Sequence, residues 1–484
     1  MLFSSMTFIY IFLPVVFIFY LLSRKEMRNF VLLIASLIFY AWGEPNYLAI
    51  MILTIIANYI GAILIDRYEK HRKLLLFITI AVDLGFLIYF KYFNFILDNI
   101  NHVFGAHIDF ISVIMPIGIS FYTFQAMSYV FDVYRKEVKP QKNFYKLALY
   151  ITMFPQLIAG PILKYSDIAP QLETREHSFS NVSMGVKRFF IGLAKKMLIA
   201  NTLGEVADKV FAQAPDTFSH LTAWLGVGSY MLQIYYDFSG YSDMAIGLGL
   251  IFGFKFMENF NHPYYVKSMT EAWHKWHISL SNWFRTYVFG IRWYNIVPKF
   301  IREAQIWNKL PKGKYRFKKT YINVMVVFFL IGLWHGASWT FVMWGIWNGF
   351  FIVFENLTGW NKESKNPFVN FIKHIYAPMV GLFGFVFFRS ENLHYAVQYF
   401  KNMFGVLPVH DVKYTISYYF DNLQIITFVI GFVCCAPIFS KMLNISKERV
   451  VLRSLVNIWL LILFVLSTAA IASSTYNPFI YFRF

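Results

Sequence analysis

Cysteine is nearly missing from this chain: there are two, Cys434 and Cys435, side by side in an apolar run. Vicinal cysteines seldom pair structurally, so neither a disulfide framework nor a cysteine metal site follows. Charge is scarce as well. Only 14% of the 484 residues are charged while 58% are hydrophobic, which excludes an ordinary string of soluble domains. There is no G-x-S-x-G elbow for a nucleophilic serine, and no P-loop or dinucleotide glycine pattern. Internal repeats and low-complexity segments are missing too. So is the alternating polarity, in segments of about ten residues, that marks a membrane β-barrel.

What the chain has instead is apolar runs from end to end: 7–22, 30–42, 47–65, 74–90, 111–131, 221–236, 244–254, 321–354, 375–388, 423–440 and 454–472. Several approach the roughly 20 residues that cross a bilayer as a helix, and the shorter ones suit tilted or broken helices. The expectation is an all-α, polytopic integral membrane protein with about 11 to 13 membrane segments. It is read as one membrane-embedded domain over residues 1–484. The first run has no basic stretch before it and no small-residue cleavage site after it, and Arg24, Lys25 and Arg28 follow. It reads as a retained span rather than a signal peptide.

The net charge of +18 is distributed in alternate loops. Arg24–Arg28, Arg67–Lys73, Arg135–Lys142, Lys299–Lys319 and Lys441–Arg453 are basic, whereas 43–46, 94–109, 205–220 and 405–422 are neutral or acidic. This positive-inside pattern places the N-terminus outside the cytoplasm. The stretch 294–319, with eight Lys or Arg, is expected to be the largest cytoplasmic loop. A nucleic-acid protein would need one large soluble basic face, which is lacking.

The longest uncharged stretch, from Tyr321 to the residue before Glu355, carries a histidine, His335, between Trp334 and Gly336. Its 34 residues would make a straight helix of about 51 Å at 1.5 Å per residue, against a hydrocarbon core near 30 Å. A break relieves that mismatch better than tilt, and Gly336, Ala337 and Ser338 are the natural place for it. At a break, freed backbone groups must be buried in protein or line a wet cavity. An ionisable residue at bilayer depth is a functional candidate by default; the alternative is a core histidine satisfied by its neighbours. An imidazole held away from water is favoured in its neutral form, and a neutral imidazole takes a proton from a hydroxyl near pH 7.

Residues 255–293 mix aromatics, cations and histidines. Asn261–Pro263 is a turn signal. Ser268 or Thr270 can cap a following helix, with Glu271 favourable in its first turn. Trp273, Trp276, Leu280, Trp283 and Phe284 then recur at helical spacing. On such a helix His274 and His277 share a face. With Glu271 they offer part of a metal site, but zinc needs three or four ligands and no second cluster supplies them, so no metal is expected. His277 is the more buried of the pair. Among the remaining histidines, His71, His102, His107, His177, His220 and His410 read as solvated loop residues. Asp237 and Asp243 lie in an apolar segment and must pair or face water; tying helices together and direct catalysis are both open. Residues 391–404 look like a further interfacial helix.

Three stretches carry a family resemblance: YYDFSGYSDMAIGLGLIFGF (Tyr235–Phe254), WHKWHISLSNWFRTYV (Trp273–Val288) and GLWHGASWTFVMWGIWNG (Gly332–Gly349). With Gly118–Arg135, Phe154–Ile162 and Asn477–Phe484, they resemble the membrane-bound O-acyltransferase family, in its bacterial alginate and peptidoglycan O-acetyltransferase branch. The resemblance implies a catalytic role for His335, in the W-H-G-A motif, and a companion role for His277. It implies a substrate or donor channel near Asp237, Ser239, Tyr241, Asp243, Trp276, Trp334, Ser338 and Asn348. The family passes an acyl group from a cytoplasmic thioester to a hydroxyl on or beyond the outer face.

Acetyl-CoA is therefore the expected donor, a cell-surface polysaccharide the acceptor, and an extracytoplasmic esterase-like protein the partner, in a bacterial cytoplasmic membrane. Two features depart from the family pattern. His262 and His274 stand where relatives usually show arginine, and FGIRWYN (Phe289–Asn295) replaces the usual run after the second signature. Two rivals are D-alanyl transfer to teichoic acid, as in another branch, and a transporter, which also uses broken helices and midplane polar residues.

Overall fold

The computed structural model describes residues 1–290, 318–410, 412–438 and 449–480. Most of the basic loop 294–319, residues 441–448 of the last basic cluster and the final four residues lie outside them. Every regular element among the described residues is a helix. Four are long and apolar enough to cross a membrane: Pro45–Arg67, Glu69–Phe104, Pro367–Arg389 and Val450–Ser473. Shorter apolar helices include Phe8–Leu22, Lys319–His335 and Asn422–Cys434. Large apolar side chains such as Ile18, Phe77, Ile425 and Leu461 stand bare on their outer faces. In water that would be a severe penalty; hydrocarbon is the solvent that suits such surfaces.

Three boundaries differ from the sequence expectation. The helix after Glu69 runs on to Phe104, so most of 94–109 is helical rather than a loop. The apolar run 111–131 becomes helix only at Ile119, after Pro116 and after Gly118, which sits at φ 76°. Apolarity alone does not distinguish an irregular segment from a span. The two runs 221–236 and 244–254 are one continuous helix, His220–Ile251, whose polar middle does not interrupt it.

The described chain divides into two units. Residues 1–201, 236–259 and 449–480 make the first; residues 202–235 and 260–438 supply the second. In the first unit, the helix Phe179–Ala194 passes into a π-helical turn, Lys195–Ala200. The turn carries two adjacent lysines, each of which meets a carboxylate. Lys195 Nζ lies 2.7 Å from Asp243, which Arg188 also reaches at 2.7 Å. Lys196 Nζ lies 2.6 Å from Asp237, whose other oxygen accepts the Ile480 N–H at 2.9 Å. Both acids are buried, and a buried carboxylate is tolerable only when paired in this way.

In the second unit, Lys318–His335 and Trp339–Thr358 form an antiparallel hairpin broken at residues 336–338. Ser338 caps the second helix, its hydroxyl accepting from the Thr340 N–H at 3.3 Å. The helices touch at glycines. A Cβ on Gly345 would stand 2.3 Å from the Phe328 carbonyl oxygen, and one on Gly332 2.5 Å from that of Phe341. Small residues that let backbones approach are the usual glue between membrane helices. Gly345→Ala should therefore cost about 1–3 kcal/mol of stability through overpacking. A clear fall in thermal midpoint, followed by tryptophan fluorescence in detergent, is the expected result; an unchanged midpoint would show that the helices can part without cost.

Candidate active site

His335 ends the first helix of the hairpin and is 3% exposed. Its ring is boxed by aromatic rings. Centroid distances are 4.8 Å to Trp334, 4.8 Å to Trp344 and 5.2 Å to Phe388. All three planes lie steeply across that of the imidazole, at 77°, 83° and 69°. Such edge-to-face packing fixes a ring's orientation without using its nitrogens.

His277 comes from a different element. The sequence suggested one helix through Trp273, Trp276 and Leu280; the structure has two, Met269–Lys275 and Ile278–Trp283. Between them His277 takes φ 42° and ψ 54°, a left-handed conformation uncommon outside glycine. This corrects the shared face expected of His274 and His277. His274 is exposed and lies 3.2 Å from the Arg285 guanidinium; partial desolvation and that cation hold it below the usual imidazole range. His277 is fully buried, 5.9 Å from the Trp334 ring and 6.4 Å from that of Phe260, with the Ser279 hydroxyl 3.4 Å from Nδ1. Trp334 is thus the common neighbour of both histidines. No group of three or more His, Cys, Asp or Glu side chains gathers in metal-binding fashion among the described residues.

Beside this pair lies a half-enclosed hollow of about 440 Å³, the solvent open to it included, lined by Trp273, Trp276, Trp344, Asn348, Tyr264 and Phe385 among others. A mostly apolar, aromatic lining with a few polar groups is the character of a small-molecule site. Trp344 forms part of its wall and also packs on His335. Asn348 is fixed at its edge, accepting from Trp273 Nε1 at 3.2 Å and donating to the Trp344 carbonyl at 2.7 Å.

Sequence comparisons identify the family. The model of the membrane-bound O-acyltransferase family matches residues 136–291. The protein named probable alginate O-acetylase AlgI of Pseudomonas putida is 38% identical, over 100% of both chains. The chain belongs to the membrane-bound O-acyltransferase family. It is an O-acyltransferase, embedded in a membrane by several apolar helices. The peptidoglycan O-acetyltransferase of Helicobacter pylori is 32% identical over 84% of this chain and 80% of its own. The teichoic acid D-alanyltransferase of Bacillus subtilis is 27% identical over 59% and 71%.

Of the residues singled out in this acyltransferase, His335, His277, Trp276, Trp334, Ser338 and Asn348 gather in the second unit. Asp237, Ser239, Tyr241 and Asp243 stand in the first. There Tyr241 packs on Phe3 and Phe479 at 4.6 and 4.8 Å, and the two acids carry the ion pairs above. Sequence reasoning missed Phe388 and Phe385, which an all-apolar run gives no means of singling out. It also missed the work of Glu355, although that residue announced itself by ending the uncharged stretch. The buried Glu355 carboxylate accepts from the N–H groups of Met269 and Thr270 at 2.6 and 2.9 Å, and from the Thr270 hydroxyl at 2.8 Å.

With Ser268 accepting from the Glu271 N–H at 3.0 Å, the start of the helix leading to His277 is held by the hairpin that carries His335. Glu355→Ala should lose about 2–4 kcal/mol, since hydrogen bonds to a charged acceptor are individually worth more than neutral ones. Glu355→Gln should retain part of that. Detergent unfolding midpoints in the order wild type, Gln, Ala are expected; equal midpoints would deny the cap its role.

Proposed function

We propose that this enzyme transfers an acetyl group from acetyl-CoA, on the cytoplasmic face, to a hydroxyl presented from the other side, and so O-acetylates a cell-surface polysaccharide. The observation that carries the reading is His335, buried at a helix break with Trp344 as a wall shared with the adjoining cavity. The relatives named for alginate and peptidoglycan O-acetylation supply the polymer class. The basic loops of the charge pattern supply a face suited to the donor's phosphates.

In this reading the acceptor O–H gives its proton to the His335 imidazole as its oxygen attacks the thioester carbonyl. The new C–O bond forms, the C–S bond breaks, and the proton passes to the leaving thiolate. Every atom is then accounted for without a cofactor or metal. His277 orients the donor or supports the negative charge that develops on the carbonyl oxygen. Trp276, Trp334, Ser338 and Asn348 shape the space around the two rings. An extracytoplasmic esterase-like protein is the proposed partner that completes transfer to the polymer. Asp237 and Asp243 are proposed to hold their helices together rather than to touch substrate, because each already faces a lysine.

General base catalysis contributes about 10²–10⁴-fold, so His335→Ala should lower acetyl transfer by that order while the protein still inserts and accumulates. His277→Ala should lower it less. Polymer acetyl esters in a strain carrying only the variant are the readout, beside membrane protein levels. Full acetylation with His335→Ala would end the enzymatic reading of that residue. The teichoic acid relative motivates one alternative, D-alanyl transfer from a carrier protein. Supplying purified membranes with acetyl-CoA or with a D-alanyl carrier thioester separates the two, and turnover with acetyl-CoA alone is expected.

A further inference from the structure

In the first unit, far along the sequence from either histidine of the site, two arginines and a fourth histidine gather around one tyrosine, with a lysine close by in sequence. Tyr20 lies in the last turn of the helix Leu13–Leu22 and is fully buried. Its hydroxyl donates to the Phe252 carbonyl at 2.9 Å and lies 2.8 Å from His177 Nε2. Arg175 Nε reaches the same hydroxyl and the same carbonyl at 3.2 and 3.1 Å, and its Nη1 donates to Asn29 Oδ1 at 2.6 Å. Two guanidiniums share the Tyr20 ring, Arg28 at 5.2 Å and Arg175 at 5.8 Å from its centroid. Lys25 stands three residues before Arg28.

The ion pairs of this unit engage Arg135, Lys136, Lys146, Arg188, Lys195 and Lys196; Lys25, Arg28 and Arg175 form none of them. The nearby acids do not compensate. Glu173 is taken by Lys146 at 2.5 Å, and Glu26 and Glu176 are exposed. Arg28 Nε is buried with no acceptor. Burial, then Arg28, Arg175 and Lys25, push His177 down to about 4. Like charges gathered without a carboxylate repel, and an anion relieves that repulsion most where water is partly excluded. Arg in particular matches the planar geometry of a phosphate.

The surroundings say which phosphate. Leu22, 80% exposed, and Phe19, 62% exposed, precede the cations on one segment. Phe179, 89% exposed, follows His177 by two residues on the other. A soluble anion gains nothing from bare aromatic and aliphatic side chains, whereas a phospholipid brings acyl chains to cover them below its headgroup. We infer that Lys25, Arg28 and Arg175, flanked by the uncharged His177, form a headgroup site for the phosphate of an anionic phospholipid, on the face that the charge pattern assigns to the cytoplasm. The site is separate from the transfer reaction and does not depend on its details.

Native mass spectrometry of the detergent-purified full chain tests this, with phosphatidylglycerol against phosphatidylcholine. Wild type should retain phosphatidylglycerol preferentially, and the double variant Lys25→Gln, Arg28→Gln should weaken that retention roughly tenfold or more. Arg28→Lys, which keeps the charge, should lose much less. Thermal midpoints in phosphatidylcholine alone identify a variant that has merely failed to fold; for such a variant the comparison passes to Lys25→Gln alone, expected to weaken retention in part. Equal retention by wild type and the folded charge-neutralised variants overturns the proposal. So does release of bound phosphatidylglycerol by about 10 mM inorganic phosphate, which would make a soluble phosphate the ligand instead.

Discussion

Everything around the candidate site depends on a mismatch of lengths. An uncharged run of 34 residues is too long for one straight crossing of a hydrocarbon core near 30 Å. The chain resolves this by folding back on itself at Gly336–Ser338, and the two arms close on each other because Gly332 and Gly345 leave no side chain between them. The break leaves His335 at a helix end. There its ring is held by Trp334, Trp344 and Phe388 rather than by the regular side-chain register of a helix.

The same hairpin places the second histidine. Glu355, two turns past Asn348 on the returning arm, holds the start of the helix Met269–Lys275 through three hydrogen bonds. That helix stops after Lys275, and His277 turns in a left-handed conformation toward Trp334. A conformation of this kind costs of order 1–3 kcal/mol and persists only when its surroundings over-determine it. Here Glu355 and Ser268 hold the approach, while Phe260 and Trp334 flank the ring. The first unit meets its own buried charges by another device: a π-helical turn brings Lys195 to Asp243 and Lys196 to Asp237.

Much of this was legible before any coordinates. The helical, membrane-embedded class followed from the apolar runs. The break at 336–338 followed from a length, and a cap at Ser268 or Thr270, of which Ser268 serves, from residue type. The motifs around His335 and His277 pointed to the acyltransferase family that the relatives establish. Other features left no such trace. Helical periodicity passes straight through His277, because a single left-handed residue alters direction without altering the aromatic spacing on either side. The run 111–131 is uncharged throughout although only its second part is a helix, and hydropathy carries no information about backbone conformation. The polar middle of His220–Ile251 looked like an interruption because its lysine partners lie some forty residues earlier in sequence.

The central claim is that donor and acceptor reach one buried histidine from opposite faces of the membrane. Sealed vesicles containing the purified enzyme, with the proposed esterase-like partner and a glycan acceptor enclosed and isotopically labelled acetyl-CoA added outside, test it directly. With the basic loops facing the donor, labelled acetyl ester should accumulate on the enclosed glycan. Ester formed only when donor and acceptor share a compartment would contradict the account.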